Sequence, residues 1–426
     1  MRVKPDIGLA GLAILVPILQ AYSPPIVVPI LALAAVTSLV LRRRDVLAWR
    51  SRPAKWLALW LAALTFYALS TSFWAVNARL SMVTGAMTLG VFLCALAMLN
   101  AAQSLDEEQR SRFGTVLLVG FLLGLANLQF NLETGGLVRT WLQQVLKPII
   151  GPQRPLVMPV SFDTTMTLVA LLAWPTLMVC ARRFGWIGAV VLYALGFAVL
   201  RQGGSLSSII AYAFGGAVFL AARLLPRVMA LATGLGLALW VLVSPLVLRP
   251  GWTDALSGTV AEWASWRLNS FEHRRRIWAF VISRIHQRPW LGWGLGNSRA
   301  VPGAHTQISP GVELLPLHPH NAALQLWLEL GSVGAVLGAA FFLLVVRSLY
   351  RALPDRTEFA LALALLAAAV VNGMVSYNLW HAWWLAFIAV ASCFAVAVTH
   401  RSERGGERGD QAEGPVDHAS PDQLMV

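Results

Sequence analysis

Residues 163–180 read DTTMTLVALLAWPTLMVC and residues 186–200 read WIGAVVLYALGFAVL, with Ala181-Arg182-Arg183-Phe184-Gly185 between them. Both runs are predominantly apolar. A helix without a polar face must be buried in protein or in lipid. Two such runs of near-membrane length, joined by a short basic link, read as two membrane spans with a turn on the side where Lys and Arg collect.

The same grammar extends along the whole chain. Apolar runs occur at about 7–22, 26–41, 56–73, 82–100, 113–132, 163–180, 186–200, 205–222, 228–247, 322–346, 359–374 and 382–398. Several fall short of the ~20 residues a span usually takes. The 426 residues are 57% hydrophobic and 12% charged, with a mean hydropathy of +0.65. Soluble domains carry about 25% charge, so a soluble enzyme, a disordered scaffold and a coiled coil are excluded. The expected fold is an all-α polytopic membrane protein of about 12 transmembrane helices. Its expected parts are helices 1–9 in 1–248, a loop with short amphipathic helices in 249–320, helices 10–12 in 321–398, and a polar, disordered cytoplasmic tail in 399–426.

The net charge is +13, from 33 basic and 20 acidic residues. With the N-terminus inside, twenty basic residues fall on inside segments and thirteen outside. Every short inside loop is basic, so both termini are expected in the cytoplasm. The N-terminal run from Ile7 continues through Pro24-Pro25 into a second apolar run, which reads as an uncleaved first span. Cys94, Cys180 and Cys393 lie in apolar runs without any paired spacing, so no disulfide or metal site is expected from them.

Topology leaves the outside charge to be explained. Eight of the thirteen outside cations sit in the 249–320 loop, against four carboxylates. Segments 254–268 and 274–288 read as amphipathic helices. Trp252, Trp263, Trp266, Trp278, Trp290 and Trp293 suit a position at the membrane surface. A smaller outside loop, 133–160, holds an amphipathic stretch at 137–146 and the supporting cation Arg154.

Four groups of residues in and around the loop could carry chemistry. Arg201, followed by Gln202-Gly203-Gly204-Ser205, can snorkel to headgroups or grip a phosphate beside backbone that glycines leave open. Arg274-Arg275-Arg276 can form a basic surface or a diphosphate clamp. His318-Pro319-His320-Asn321 precedes run ten, with Asn321 as N-cap. A histidine there can act as general base; a metal site would need a third ligand, which is absent nearby in sequence. Glu329, eight residues into run ten, would lie about 12 Å down a straight helix. A carboxylate at that depth reads as a partner for an arginine or for the loop. Gly292-Trp293-Gly294-Leu295-Gly296-Asn297 lacks the flanking strand and helix of a nucleotide fingerprint and reads as a tight turn. No cofactor, metal or nucleic acid is implied.

Taken together, His318-Pro319-His320-Asn321 with Leu324, Leu328, Glu329, Gly331, Gly334 and Phe341 resembles the H-x-H-N…L…E-x-G…G…F signature of the O-antigen ligase and polymerase superfamily. Arg274, Trp278, Pro289, Gly292, Gly294 and Gly296 resemble its R…W…P…G-x-G-x-G stretch. Arg201 with Gly203, Gly204 and Ser205 resembles its S-R-G-A element, with Leu200 in place of the serine.

The resemblance implies a metal-independent glycosyltransferase of GT-C type in the bacterial inner membrane. Its donor would be a glycan on undecaprenyl diphosphate and, in a ligase, its acceptor the lipid A–core oligosaccharide on the periplasmic face. By the same implication His320, with His318, serves the acceptor hydroxyl, and Arg201 and Arg274–Arg276 hold the diphosphate. A polymerase or a protein-glycosylating ligase of the same superfamily is the alternative. A twelve-helix transporter or a flippase fits less well, because the major facilitator layout has its long loop central and cytoplasmic.

Overall fold

The structure is a computed structural model that describes residues 6–47, 52–150, 162–251 and 268–399. Arg154, the expected helix at 254–268 and the tail from residue 400 lie outside the described residues. These residues form α1 (Ile7–Leu19), α2 (Val27–Leu47), α3 (Arg52–Ser70), α4 (Ala78–Gln103), α5 (Glu107–Glu133), α6 (Leu137–Ile150), α7 (Asp163–Gly203), α8 (Leu206–Leu224) and α9 (Pro226–Val247). Then come α10 (Leu268–Gln287), a small antiparallel hairpin of β1 (Gln307–Ser309) and β2 (Val312–Glu313), α11 (Ala322–Ala352), α12 (Arg356–Val375) and α13 (Ala382–Val398).

Among the described residues eight helices are long and apolar enough to cross a membrane, and 7–19, 58–73 and 382–398 are shorter apolar helices. Their outward faces stay oily: Ile187 is 82% exposed and Leu33 65%. Such a surface fits lipid and not water, so the chain is a multi-pass membrane protein.

Helix contacts use small residues, as expected where lipid is as apolar as leucine. On α5, a Cβ at Gly120 would lie 1.9 Å from the Ala13 carbonyl oxygen, and one at Gly124 2.5 Å from Pro17. These two glycines, one turn apart, let α5 press directly onto the backbone of α1.

Two glycines turn what would be straight helices into folded ones. Within α7, Gly185 has φ 70° and ψ −178°. The rings of Trp174 and Tyr193 are 6.1 Å apart, although nineteen residues of straight helix would separate them by about 28 Å. Near the two ends of α7, Met166 packs on Gly203. The helix therefore doubles back at Gly185 into two antiparallel arms, in agreement with separate runs at 163–180 and 186–200.

Within α11, Gly331 has φ 65° and ψ −162°. A Cβ on Gly338 would touch the Leu326 side chain at 2.8 Å, where twelve residues of straight helix would span about 18 Å. This bend corrects the expectation of one straight run over 322–346. Glu329 does not sit 12 Å down a span. It lies in a short arm, 322–330, that precedes the bend.

At the end of the bundle away from the long loop, arginines close helix termini. Arg110 donates to the carbonyls of Val396, Ala397 and Thr399 at 2.9, 3.2 and 2.9 Å. Arg182 donates to Val398 and pairs with Glu358. These cations meet the free carbonyls and the negative dipole end of α13.

Candidate functional site

The site is assembled from the long loop, the short arm of α11 and the α12–α13 connection. Gly292, Gly294 and Gly296 all have positive φ, at 69°, 101° and 70°. A Cβ on them would meet the Glu329 carbonyl at 2.5 Å, Ala75 at 2.3 Å and Thr84 at 2.6 Å respectively. The expected tight turn is thus wedged between the α3–α4 connection and the bend of α11. Backbone bonds pin it there: Trp293 N–H donates to Leu328, Gly294 N–H to Glu329 and Ser332 N–H to Pro289, at 2.9, 2.9 and 2.7 Å.

Glu329 is fully buried under this turn. It accepts from the Gly296 and Ser298 backbone N–H groups, the Ser298 hydroxyl, Gln325 Nε2 at 3.1 Å and Trp380 Nε1 at 2.7 Å. Of the two partners expected from sequence, an arginine or the loop, the structure selects the loop.

Asn297 anchors the other side. Its side chain accepts from Asn77 N–H at 2.7 Å and donates to Ser81 Oγ at 2.8 Å. Asn77 in turn caps α4. Gln325 ties the short arm to Asn378 and to the Leu379 N–H, at 2.9 and 3.0 Å.

Asn321 is the N-cap of α11, accepting from Leu324 N–H at 3.0 Å, as its position before run ten suggested. Just ahead of it, His320 has φ 52°, the only positive φ outside glycine among the described residues. Such a conformation is uncommon for a side chain of this size and collects at working sites. It is held by neighbours: Trp278 Nε1 donates to the Pro319 carbonyl at 3.0 Å, and the His320 N–H donates to His318 Nδ1 at 3.1 Å.

The two imidazoles lie 4.2 Å apart and tilted by 49°, and His381 adds a third ring 6.2 Å from His318. His320 Nδ1 is buried and makes no hydrogen bond among the described residues. Burial depresses both titrations, His318 to about 2 and His320 to about 4. Neighbouring basic groups add to it: His320, His381 and Arg274 act on His318, and Arg274 and His273 act on His320. Both rings are therefore neutral at neutral pH, with a proton affinity held below that of a free imidazole.

The arginine triplet lies within α10, and its members point to different tasks. Arg275 grips Glu272 with two bonds of 2.7 Å, and Arg276 reaches the same carboxylate at 3.2 Å. Those bonds hold the Glu272 carboxyl down at about 2. Arg274 is the member whose charge is felt by both histidines. Arg201 is exposed at the loop end of α7. Next to it, Gln202 bonds Gln129 and Glu133, and Gly204 closes the helix with φ 76°. No hydrogen bond or ion pair joins Arg201 to the histidines among the described residues.

Two tryptophans expected at the membrane surface do other work. Trp278 supports Pro319, and Trp293 is buried and donates to the Arg284 carbonyl at 2.9 Å. Trp290 is 73% exposed. Their indoles satisfy loop carbonyls, which alternation and charge do not reveal. His381 escaped the sequence reading as well. It joins the site through a fold contact more than sixty positions away, and no local spacing marks it.

A family comparison covers the loop and the α11 part of this assembly. Residues 189–339 match the O-antigen ligase family. The O-antigen ligase match takes in Arg201, Arg274–Arg276, His318, His320, Asn321 and Glu329. Two candidate polysaccharide ligases are similar over a shorter stretch. One, from Rickettsia conorii, is 36% identical over 122 residues, and one from Rickettsia prowazekii is 39% identical over 124 residues. Each match covers 27% of this chain and 29% of the relative, so the chain spans under a third of the length of the curated relatives it matches.

Proposed function

We propose that this protein is an O-antigen ligase of the bacterial inner membrane. It crosses the membrane twelve times in a GT-C-type arrangement, with both termini cytoplasmic and the site on the periplasmic face. It transfers a glycan from undecaprenyl diphosphate to the lipid A–core oligosaccharide. The carrying observation is the charge of Arg274 set against the neutral pair His318 and His320 at the start of α11, inside the O-antigen ligase match.

The acceptor hydroxyl oxygen attacks the anomeric carbon of the donor glycan. A new glycosidic C–O bond forms as the bond to the diphosphate breaks, and undecaprenyl diphosphate leaves with the bonding pair. His320 takes the hydroxyl proton as general base. Arg274 and Arg201 offset the charge that builds on the leaving diphosphate, a term that commonly dominates such catalysis. Bound diphosphate also opposes the field of Arg274, which raises the proton affinity of His320 just when a base is needed. Arg275 and Arg276 stiffen α10 through Glu272, and no metal ion takes part.

Deletion of the gene in its host tests this reading. A ligase mutant accumulates long lipid-linked polymer and leaves the core bare. Single repeats on the core would assign the protein to polymerisation instead, and an unchanged glycan profile would remove both.

A further inference from the structure

The helices that flank the long loop also meet at the opposite end of the bundle. There α9 and the long arm of α11 run antiparallel: Gly338 faces Val241, and Gly234 faces Leu343 and Val346. Between them lies a cleft of about 620 Å³. Arg227 from α9 and Arg347, Tyr350 and Arg351 from α11 line its mouth, and Leu231 and Leu343 line its wall. Arg347 and Arg351 stand one turn apart and so share a face.

All three arginines are exposed, none forms an ion pair among the described residues, and no acidic residue lines the cleft. A topological preference for basic residues on one side accounts for their end of the bundle. It does not account for three of them converging on one hollow without a counter-ion. The wall points outward and is apolar, with Leu231 65% and Leu343 40% exposed. Cations at a helix end above an outward apolar groove match a phosphate headgroup with its acyl chain below.

We propose that this cleft binds an anionic phospholipid, with the phosphate held by Arg227, Arg347 and Arg351 and an acyl chain laid along the α9–α11 groove. The bound lipid would brace the two helices from which the long loop is hung.

Native mass spectrometry of the full chain in detergent tests the site with added phosphatidylglycerol, phosphatidylethanolamine or inorganic phosphate. Phosphatidylglycerol should remain bound and phosphatidylethanolamine should bind less. Arg347→Gln with Arg351→Gln should weaken phosphatidylglycerol about tenfold. Arg351→Gln alone should give a smaller loss in the same direction, which guards against misfolding of the double variant. Arg223→Gln removes the same charge outside the cleft and should bind as the unmodified protein does. Equal retention of the two lipids, full binding by the double variant, or displacement of the lipid by millimolar phosphate would each overturn the proposal.

Discussion

The carboxylate of Glu329 accepts the backbone N–H of Gly296, thirty-three positions earlier in the chain. One buried side chain thereby fixes where the glycine turn ends and where the short arm of α11 lies. Glu329→Gln keeps the shape but sets an amide N–H₂ among donors. A buried donor left facing donors costs on the order of 1–3 kcal/mol. The variant should insert in the membrane normally, yet be cut faster by protease within 290–300 and lose most of its transfer activity. Protection equal to the parent would show that the turn is held by other contacts.

Arg274 and Arg276 test whether the triplet divides phosphate binding from scaffold charge. Arg274→Gln should lower kcat by about 10²–10³, the usual cost of removing one group that stabilises developing charge. Arg276→Gln, whose guanidinium already sits on Glu272, should change the rate only a few-fold. Similar losses in both variants would mean that the triplet acts as one undifferentiated patch.

Replacing His320 addresses the proton transfer itself. His320→Ala should reduce transfer by about 10²–10⁴ with unchanged membrane expression, since a positioned base contributes roughly that much. Because His320 occupies φ 52°, His320→Gly relieves the backbone and should be at least as stable, while being equally inactive. An active glycine variant would remove the imidazole from the mechanism.

Acid should loosen the folded state through the histidine pair. His318 and His320 titrate at about 2 and about 4 when folded, below the ordinary 6.5. Between pH 6.5 and pH 4 the unfolded chain therefore binds protons that the folded chain refuses. Stability rises with pH where the unfolded state holds more protons, so it falls as pH drops through this window. Melting in detergent should occur at lower temperature at pH 5 than at pH 7. His318→Gln should flatten that slope, and an identical slope would locate the acid sensitivity elsewhere.

Gly185 and Gly331 offer a matched comparison. Both have positive φ with ψ near 180°, a region costing about 1–3 kcal/mol for other residues. A Cβ at Gly185 meets nothing within 4 Å, whereas one at Gly331 falls 2.2 Å from the Trp290 carbonyl oxygen. Gly331→Ala should thus be clearly more destabilising and should abolish activity. Gly185→Ala should show only the backbone strain in a thermal melt.

Much of the bundle was readable because lipid-facing helices advertise themselves as unbroken apolar runs. The break between 163–180 and 186–200 was visible because Arg182 and Arg183 interrupt the run. The bend at Gly331 was hidden, since Leu330 and Ser332 leave the apolar pattern nearly intact and a glycine's φ is not written in hydropathy. The histidines, Asn321 and the glycine turn stood out by local spacing. The pairing of Glu272 with Arg275 and Arg276 follows local i,i+3 and i,i+4 spacing, whereas the nearness of Arg274 to the histidines depends on how α10 packs against the α11 arm and has no local mark. His381 arrives from a connection sixty positions later and carries no local mark at all.

The arginines that seal α13 have a bearing on how the molecule is made. Arg110 and Arg182 emerge early in synthesis, but the carbonyls they hold belong to residues 396–399. At about 5–20 residues per second, the ribosome needs roughly 10–45 s to travel from Arg182 to Thr399. Over that interval the nascent bundle lacks the latch that closes this end of it.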